Sequence, residues 1–389
     1  MTENNLSKHY LQIDLLKAIA IILVIIIHSI NGPRFNLGYV IPITIFYLTA
    51  TFTLNMAVPI FFILMGRNTG ASFKRKGYKT LKSIFTLFYF KKKFIRIIFP
   101  LILISLVSII LGILLKENLY FGILTFLGRM PFEGVGTGWG NYFVSILIQF
   151  IFVFPFLYLL YGKSPKLMLI VAFLINFAFE IIATFFPVFQ GNSYEYRASI
   201  FRYLFMIALG LWIMDKMDDI SIIDFFSKYK WIAIGVILSF VYLVMRSVYN
   251  WYVPYFLPSW QSVNMFSAFY PLIICILGFI YLPSESSNKI INFIGTIGKA
   301  SYHIFLVQII YFASGFTIIS FIIPPNLYVT YSLFTIILLI VGDLIFCFSL
   351  GLIFFYLESK LANRIMHLQF INIIYNIYKK ITKNWIKHG

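Results

Sequence analysis

One apolar stretch near the N-terminus carries a carboxylate, an ammonium and an imidazole: Asp14, Lys17 and His28. The residues around them, 10–30, are mostly Ile, Leu, Val and Ala. On a helix, the steps from Lys17 to His28 come to about three turns plus 20°, and those from Asp14 to His28 close to within about 40° of the same direction. All three side chains share one stripe, and Asn31 falls near it. At about 1.5 Å per residue, His28 stands roughly 16 Å beyond Lys17. Ionisable groups in such a helix line a cavity or a pathway, because facing lipid is costly. A neutral imidazole is the usual general base. The same residues also fit a helix with no chemistry, with Asp14 and Lys17 at the interface and His28 capping the far end. A proton-coupled transporter fits the stripe as well as an enzyme does. Asp14 either charge-balances Lys17 or caps the helix start.

Other charged residues repeat the question further along. Segment 66–96 holds Arg67, Lys74, Arg75, Lys76, Lys79, Lys82, Lys91, Lys92, Lys93 and Arg96. Lys93 and Arg96 stand three apart at the edge of the next apolar block. Glu180 and Asp343 lie inside later apolar blocks and are expected to face inward. Loop 250–262 is rich in aromatics and prolines, Trp251 and Trp260 among them.

The elements that position these groups follow from composition. Of 389 residues, 61% are hydrophobic and 11% charged, with a mean hydropathy of +0.90. A soluble chain of this length needs a polar exterior that these residues cannot supply. Spanning segments must satisfy their backbone internally, so they are helices or a closed barrel. Continuous rather than alternating apolar blocks exclude the barrel. The chain therefore reads as an all-α integral membrane protein, a bundle of about ten helices of bilayer-crossing length. The expected spans are 10–30, 39–64, 97–115, 139–161, 167–187, 199–214, 231–249, 263–281, 301–322 and 331–357, the sixth being short. Basic residues concentrate in alternate loops and in the tail, which puts both termini in the cytoplasm of a multi-pass cell-membrane protein. The membrane domain is expected to cover 1–357, followed by a basic amphipathic tail over 358–389 that lies on the inner leaflet. The net charge of +18 is thus laid out for anionic lipid or an anionic co-substrate rather than for nucleic acid. Cys275 and Cys347 sit inside apolar blocks with neither metal-ligand spacing nor a disulfide framework, and no metal site is expected.

Asp14-x-x-Lys17 with His28 eleven residues on resembles the first-helix signature of the acyltransferase-3 family, with Lys17 where an Arg usually stands. Similar blocks follow in order. They are Val58 through Gly66, Lys93 through Pro100 (with Lys for the first Arg), Trp139 through Pro155, Arg202 through Gly210, and Ile297 through Leu306. The likeness covers nearly the whole chain. It implies transfer of an acyl group, commonly acetyl from acetyl-CoA, to a sugar hydroxyl outside the cytoplasm, as in O-acetylation of a polysaccharide. No bound cofactor is implied beyond acyl-CoA as co-substrate. His28 would be the essential base or a transient acyl carrier, and Lys17, Lys93 and Arg96 would hold the donor, whose phosphates suit charge-assisted contacts. Asp14 and Asn31 would support them. Arg202 and Trp139 would contact the acceptor, although Arg202 equally fits a side chain snorkelling to the interface. Trp251 and Trp260 would stack on sugar rings or belong to an interfacial aromatic belt.

The departures are specific. Gln308 stands where many members carry His, and Leu147 and Ile148 stand where one large branch carries Glu. The Trp139 region is also similar to the intercellular adhesion membrane protein branch, tied to poly-N-acetylglucosamine. That likeness keeps a second reading open, an exporter or flippase passing a glycan along the same polar stripe without acyl transfer. A third reading is a structural membrane subunit, for which replacing His28 is silent.

Overall fold

Within a bilayer the backbone has no water to bond to, so each apolar block must close its own hydrogen bonds as a helix. The computed structural model describes residues 10–31, 49–53, 56–116, 118–120, 128–131, 141–190, 193–217, 221–258, 261–322 and 333–367. Among these, every regular element is helical. The principal helices are α1 (Leu11–Asn31), α2 (Ala57–Arg75), α3 (Leu87–Leu114), α4 (Tyr142–Lys163), α5 (Pro165–Ala183), α6 (Leu204–Ile213), α7 (Lys230–Val248), α8 (Phe269–Tyr281), α9 (Lys289–Lys299), α10 (Ser301–Ile322) and α11 (Leu333–His367). Local sequence sets several boundaries. Ser164 closes α4 and opens α5, its hydroxyl accepting from the Leu167 amide at 3.3 Å, with Pro165 at the first helical position. Asn288 caps α9 in the same way, accepting from the amides of Ile290 and Ile291.

Among the described residues, seven helices are long and apolar enough to cross a membrane: those at Leu11–Ser29, Thr49–Arg75, Leu87–Leu114, Tyr142–Lys163, Pro165–Ala183, Lys230–Val248 and Ile340–Ala362. α9 and the first part of α10 qualify together, bent by 65° at Ala300. The apolar helices Ile200–Ile213 and Met265–Tyr281 are shorter. The bent pair and these two stand where the sequence places its remaining three crossings.

Glycines set the closest helix approaches, as expected where packing rather than hydrophobicity draws helices together in lipid. A Cβ on Gly66 of α2 would lie 2.1 Å from the Ile207 carbonyl of α6, and one on Gly210 of α6 only 2.0 Å from the Ile63 carbonyl of α2. A Cβ on Gly298 of α9 would fall 1.8 Å from the Asp14 carbonyl of α1. The first contact packs α2 closely against α6. The second presses α9 onto the turn of α1 that carries Asp14 and Lys17.

Three expected boundaries need correction. Segment 66–96, expected as a loop, is largely helical: α2 continues through Arg75, Leu81–Ile84 forms one helical turn, and α3 begins at Leu87. Basic residues mark where a chain meets water, and a helix need not end there. The helix also runs past the expected span end at residue 357, since α11 continues to His367 and Glu358 is buried against α10. Residues 368–389, the rest of the expected tail, lie outside the described residues, as does the start of the expected second span.

Candidate active site

Two prolines inside apolar helices shape this region. Pro100 has no amide to donate, and its ring crowds the carbonyl four residues back, that of Arg96. There α3 widens into a π turn over Phe94–Ile98, with the Phe99 amide bonding to the Phe94 carbonyl. The Tyr302 hydroxyl, from the start of α10, donates to the Ile97 carbonyl of this turn at 2.9 Å. Pro155 in α4 likewise leaves the Ile151 carbonyl without its usual helical donor. The Tyr89 hydroxyl of α3 donates to it at 2.8 Å. That bond pins the start of α3 to α4, and Lys93, one turn on, rests its ammonium 5.7 Å from the ring centres of both Tyr89 and Phe150.

These contacts place Lys93 and Arg96 on one wall of a cavity of about 980 Å³. Asp14 and Lys17 of α1 form another wall, so the cavity brings together four of the residues singled out by the sequence. The far end of α2 adds Arg67, Lys74, Arg75 and Lys76, and Lys299 enters from the bend between α9 and α10. Nine cationic side chains line the space in all, against the carboxylates Asp14, Asp215 and Glu358. Each of those acids already faces a base. Asp14 lies 3.4 Å from Lys17, Asp215 2.7 Å from Lys74, and Glu358 3.2 Å from the Nε2 of His303. Tyr161 also donates to Asp215, at 3.0 Å. The cavity therefore carries a large excess of positive charge, partly shielded from water, which suits a ligand bearing several phosphates. Arg67 stacks its guanidinium 4.3 Å over the Phe279 ring, which holds the fork in place at the cavity wall.

His28 is not part of this lining. It stands eleven residues deeper along α1, half-buried, its ring centre 5.8 Å from that of Phe312 on α10. Phe312 is itself fully buried, so the imidazole packs against a neighbouring helix. Arg202 is also fully buried and is no snorkelling side chain. Its Nε donates to Glu180 Oε1 at 3.3 Å, and its guanidinium lies 4.3 Å over Tyr196, whose hydroxyl also donates to Glu180. This knot joins α5 to the residues leading into α6. Asp343 faces inward as expected, accepting from the Tyr311 hydroxyl. Trp139 and Trp260 lie outside the described residues, as does the side chain of Asn31.

Sequence reasoning passed over Arg67, treating it as loop charge; the signal was its place at the end of an unbroken apolar run. It also passed over Tyr89 and Tyr302, whose hydroxyls serve backbone near helix prolines. Pro100 and Pro155 inside apolar blocks were the visible cue that such donors had to exist.

A family model described as an acyltransferase domain matches residues 10–364. Neither a curated protein nor a solved structure matches the chain. A match over almost the full chain, on a bundle of apolar helices with a cationic cavity, leads to one conclusion: the chain belongs to the acyltransferase-3 family and is a membrane acyltransferase.

Proposed function

We propose that the protein transfers an acetyl group from acetyl-CoA, taken up at the cytoplasmic face, to a hydroxyl of a cell-surface carbohydrate or its precursor. The observation that carries this reading is the joint placement of Lys17, Lys93 and Arg96 on one strongly cationic cavity, with His28 deeper on the same helix as Lys17. The phosphates of CoA match the charge of the cavity. The thioester, at the end of CoA's long flexible arm, can reach inward towards His28. A volume of about 980 Å³ suits a ligand of that size.

The charge pattern supports a cell-membrane location with about ten crossings, since the basic ends of α2, α3 and α9 share the cavity end of the bundle with the start of α1. In this arrangement His28 lies towards the outer half of the bilayer, where an external acceptor arrives. The imidazole either takes the proton of the acceptor hydroxyl or carries the acyl group between donor and acceptor. The test is reconstitution in liposomes with the cavity face outward, labelled acetyl-CoA outside, and glycan acceptor inside. Label in the glycan with the wild-type chain and none with His28→Ala supports the reading. Glycan crossing the membrane with no acyl donor present would instead favour export.

A further inference from the structure

The cavity and His28 are separated by several turns of helix, and the buried side chain of Gln308 lies between them along α10. On α10, Ser301, Phe305, Gln308 and Phe312 follow at spacings of four, three and four, so they stack along a single face. Ser301 and Phe305 line the cationic cavity, and Phe312 packs against His28. Gln308 therefore sits on the line from one to the other, about 6 Å short of Phe312 along the axis. On α1, which packs against α10, the matching stripe between Lys17 and His28 is Ile21, Val24 and Ile25, all buried and apolar. Gln308 is 0% exposed, and among the described residues neither its Oε1 nor its Nε2 has a hydrogen-bond partner. Holding an amide in an apolar seam without partners is costly, and leucine at this position would avoid the cost. A buried polar group of this kind is explained when a ligand supplies the missing bond.

We propose that the seam between α1 and α10 is the route by which the donor's thioester reaches His28, and that the Gln308 amide donates a hydrogen bond to the acyl carbonyl oxygen there. This inference rests on the acyl-CoA reading above. The acceptor oxygen attacks the carbonyl carbon and forms the new C–O bond, while the hydroxyl proton passes to the His28 imidazole. The carbonyl electron pair gathers on the oxygen held by Gln308. Collapse breaks the C–S bond, and the departing thiolate takes the proton from His28. Gln308 is then a catalytic residue whose donor acts mainly on charge developing in the transition state.

The experiment uses the full chain reconstituted as above, with Gln308→Leu and Gln308→Met as donor-free variants of similar volume and Gln308→His as a variant that keeps an N–H. Transfer from acetyl-CoA, binding of unacylated CoA and the unfolding midpoint are measured for each. The expected result is a fall in kcat of about 10²–10³-fold in the Leu and Met variants, with CoA affinity unchanged, the midpoint unchanged or raised, and partial recovery in the His variant. Leu or Met variants that transfer at the wild-type rate would overturn the proposal. So would a loss that tracks equally with CoA affinity or with a lowered midpoint in both, since Gln308 would then be a structural group. If the wild-type chain transfers nothing from acetyl-CoA, the donor reading falls and this inference falls with it; if wild type and Gln308→Leu transfer at the same rate, only this inference falls.

Discussion

Replacing Tyr89 by Phe removes one oxygen while keeping the ring that packs beside Lys93. That oxygen donates at 2.8 Å to the Ile151 carbonyl, which Pro155 deprives of its helical donor. Leaving a buried acceptor unpaired costs about 1–3 kcal/mol. Side-chain hydrogen bonds within membranes average nearer 0.6 kcal/mol and reach about 1.7, because alternative partners often exist. Here the usual alternative, the amide four residues on, belongs to proline. We therefore expect Tyr89→Phe to destabilise the fold by about 1–2 kcal/mol, towards the upper end of the membrane range. Pro155→Ala restores the missing amide, so in that background Tyr89→Phe should cost about 0.5 kcal/mol or less. The assay is a double-mutant cycle on equilibrium unfolding in mixed micelles, titrating a denaturing detergent. A coupling of about 1 kcal/mol between the two positions is the expected outcome. Equal costs of Tyr89→Phe in both backgrounds would refute the reasoning, since the hydroxyl would then be serving something other than the proline's orphaned carbonyl. The Phe variant should also keep the wild-type KM for the donor, because the ring beside Lys93 remains.

Further expectations follow from other contacts. Arg96→Gln and Lys93→Gln should each raise the KM for acyl-CoA about tenfold, the loss of one charge-assisted bond, and steady-state kinetics at low and high salt will check this. Glu180→Gln strands the buried guanidinium of Arg202 and should destabilise by about 3–5 kcal/mol, whereas the double replacement Glu180→Leu with Arg202→Met should recover most of it; unfolding midpoints in detergent separate the two. Gly210→Ala drives a methyl group to 2.0 Å from the Ile63 carbonyl and should cost about 1–3 kcal/mol or more by overpacking, read as loss of monodisperse protein after extraction.

The lining of the cavity was legible in sequence where charge broke an apolar run. Asp14, Lys17, Lys93 and Arg96 stood out that way, and the cavity gathers all four. His28 was also visible, but its neighbour was not, because helical periodicity places a side chain on a face without saying which helix comes opposite. Boundaries were the weak point. Hydropathy reports where residues meet water, whereas hydrogen bonding decides where a helix ends, so α2 and α11 continue through their basic residues. Arg202 shows the same limit. At the edge of an apolar block it looked free to reach water, yet Glu180 on the preceding helix and Tyr196 in the intervening turn enclose it. Pro155 and Pro100 announced freed carbonyls, but only the fold could assign Tyr89 and Tyr302 near them. Gln308 was legible as a departure from the family pattern, and its burial without a hydrogen-bond partner among the described residues gives that departure a physical meaning.

We propose a division of labour along α1, in which the cationic cavity would hold the donor and His28, one helix stripe deeper, would do the chemistry. The most direct measurement is CoA affinity and acetyl transfer on the same preparation of the His28→Ala chain. We expect CoA to bind as it does to the wild type while transfer falls to background. A His28→Ala chain that turns over acetyl-CoA at the wild-type rate, or that loses CoA binding together with activity, would contradict the account.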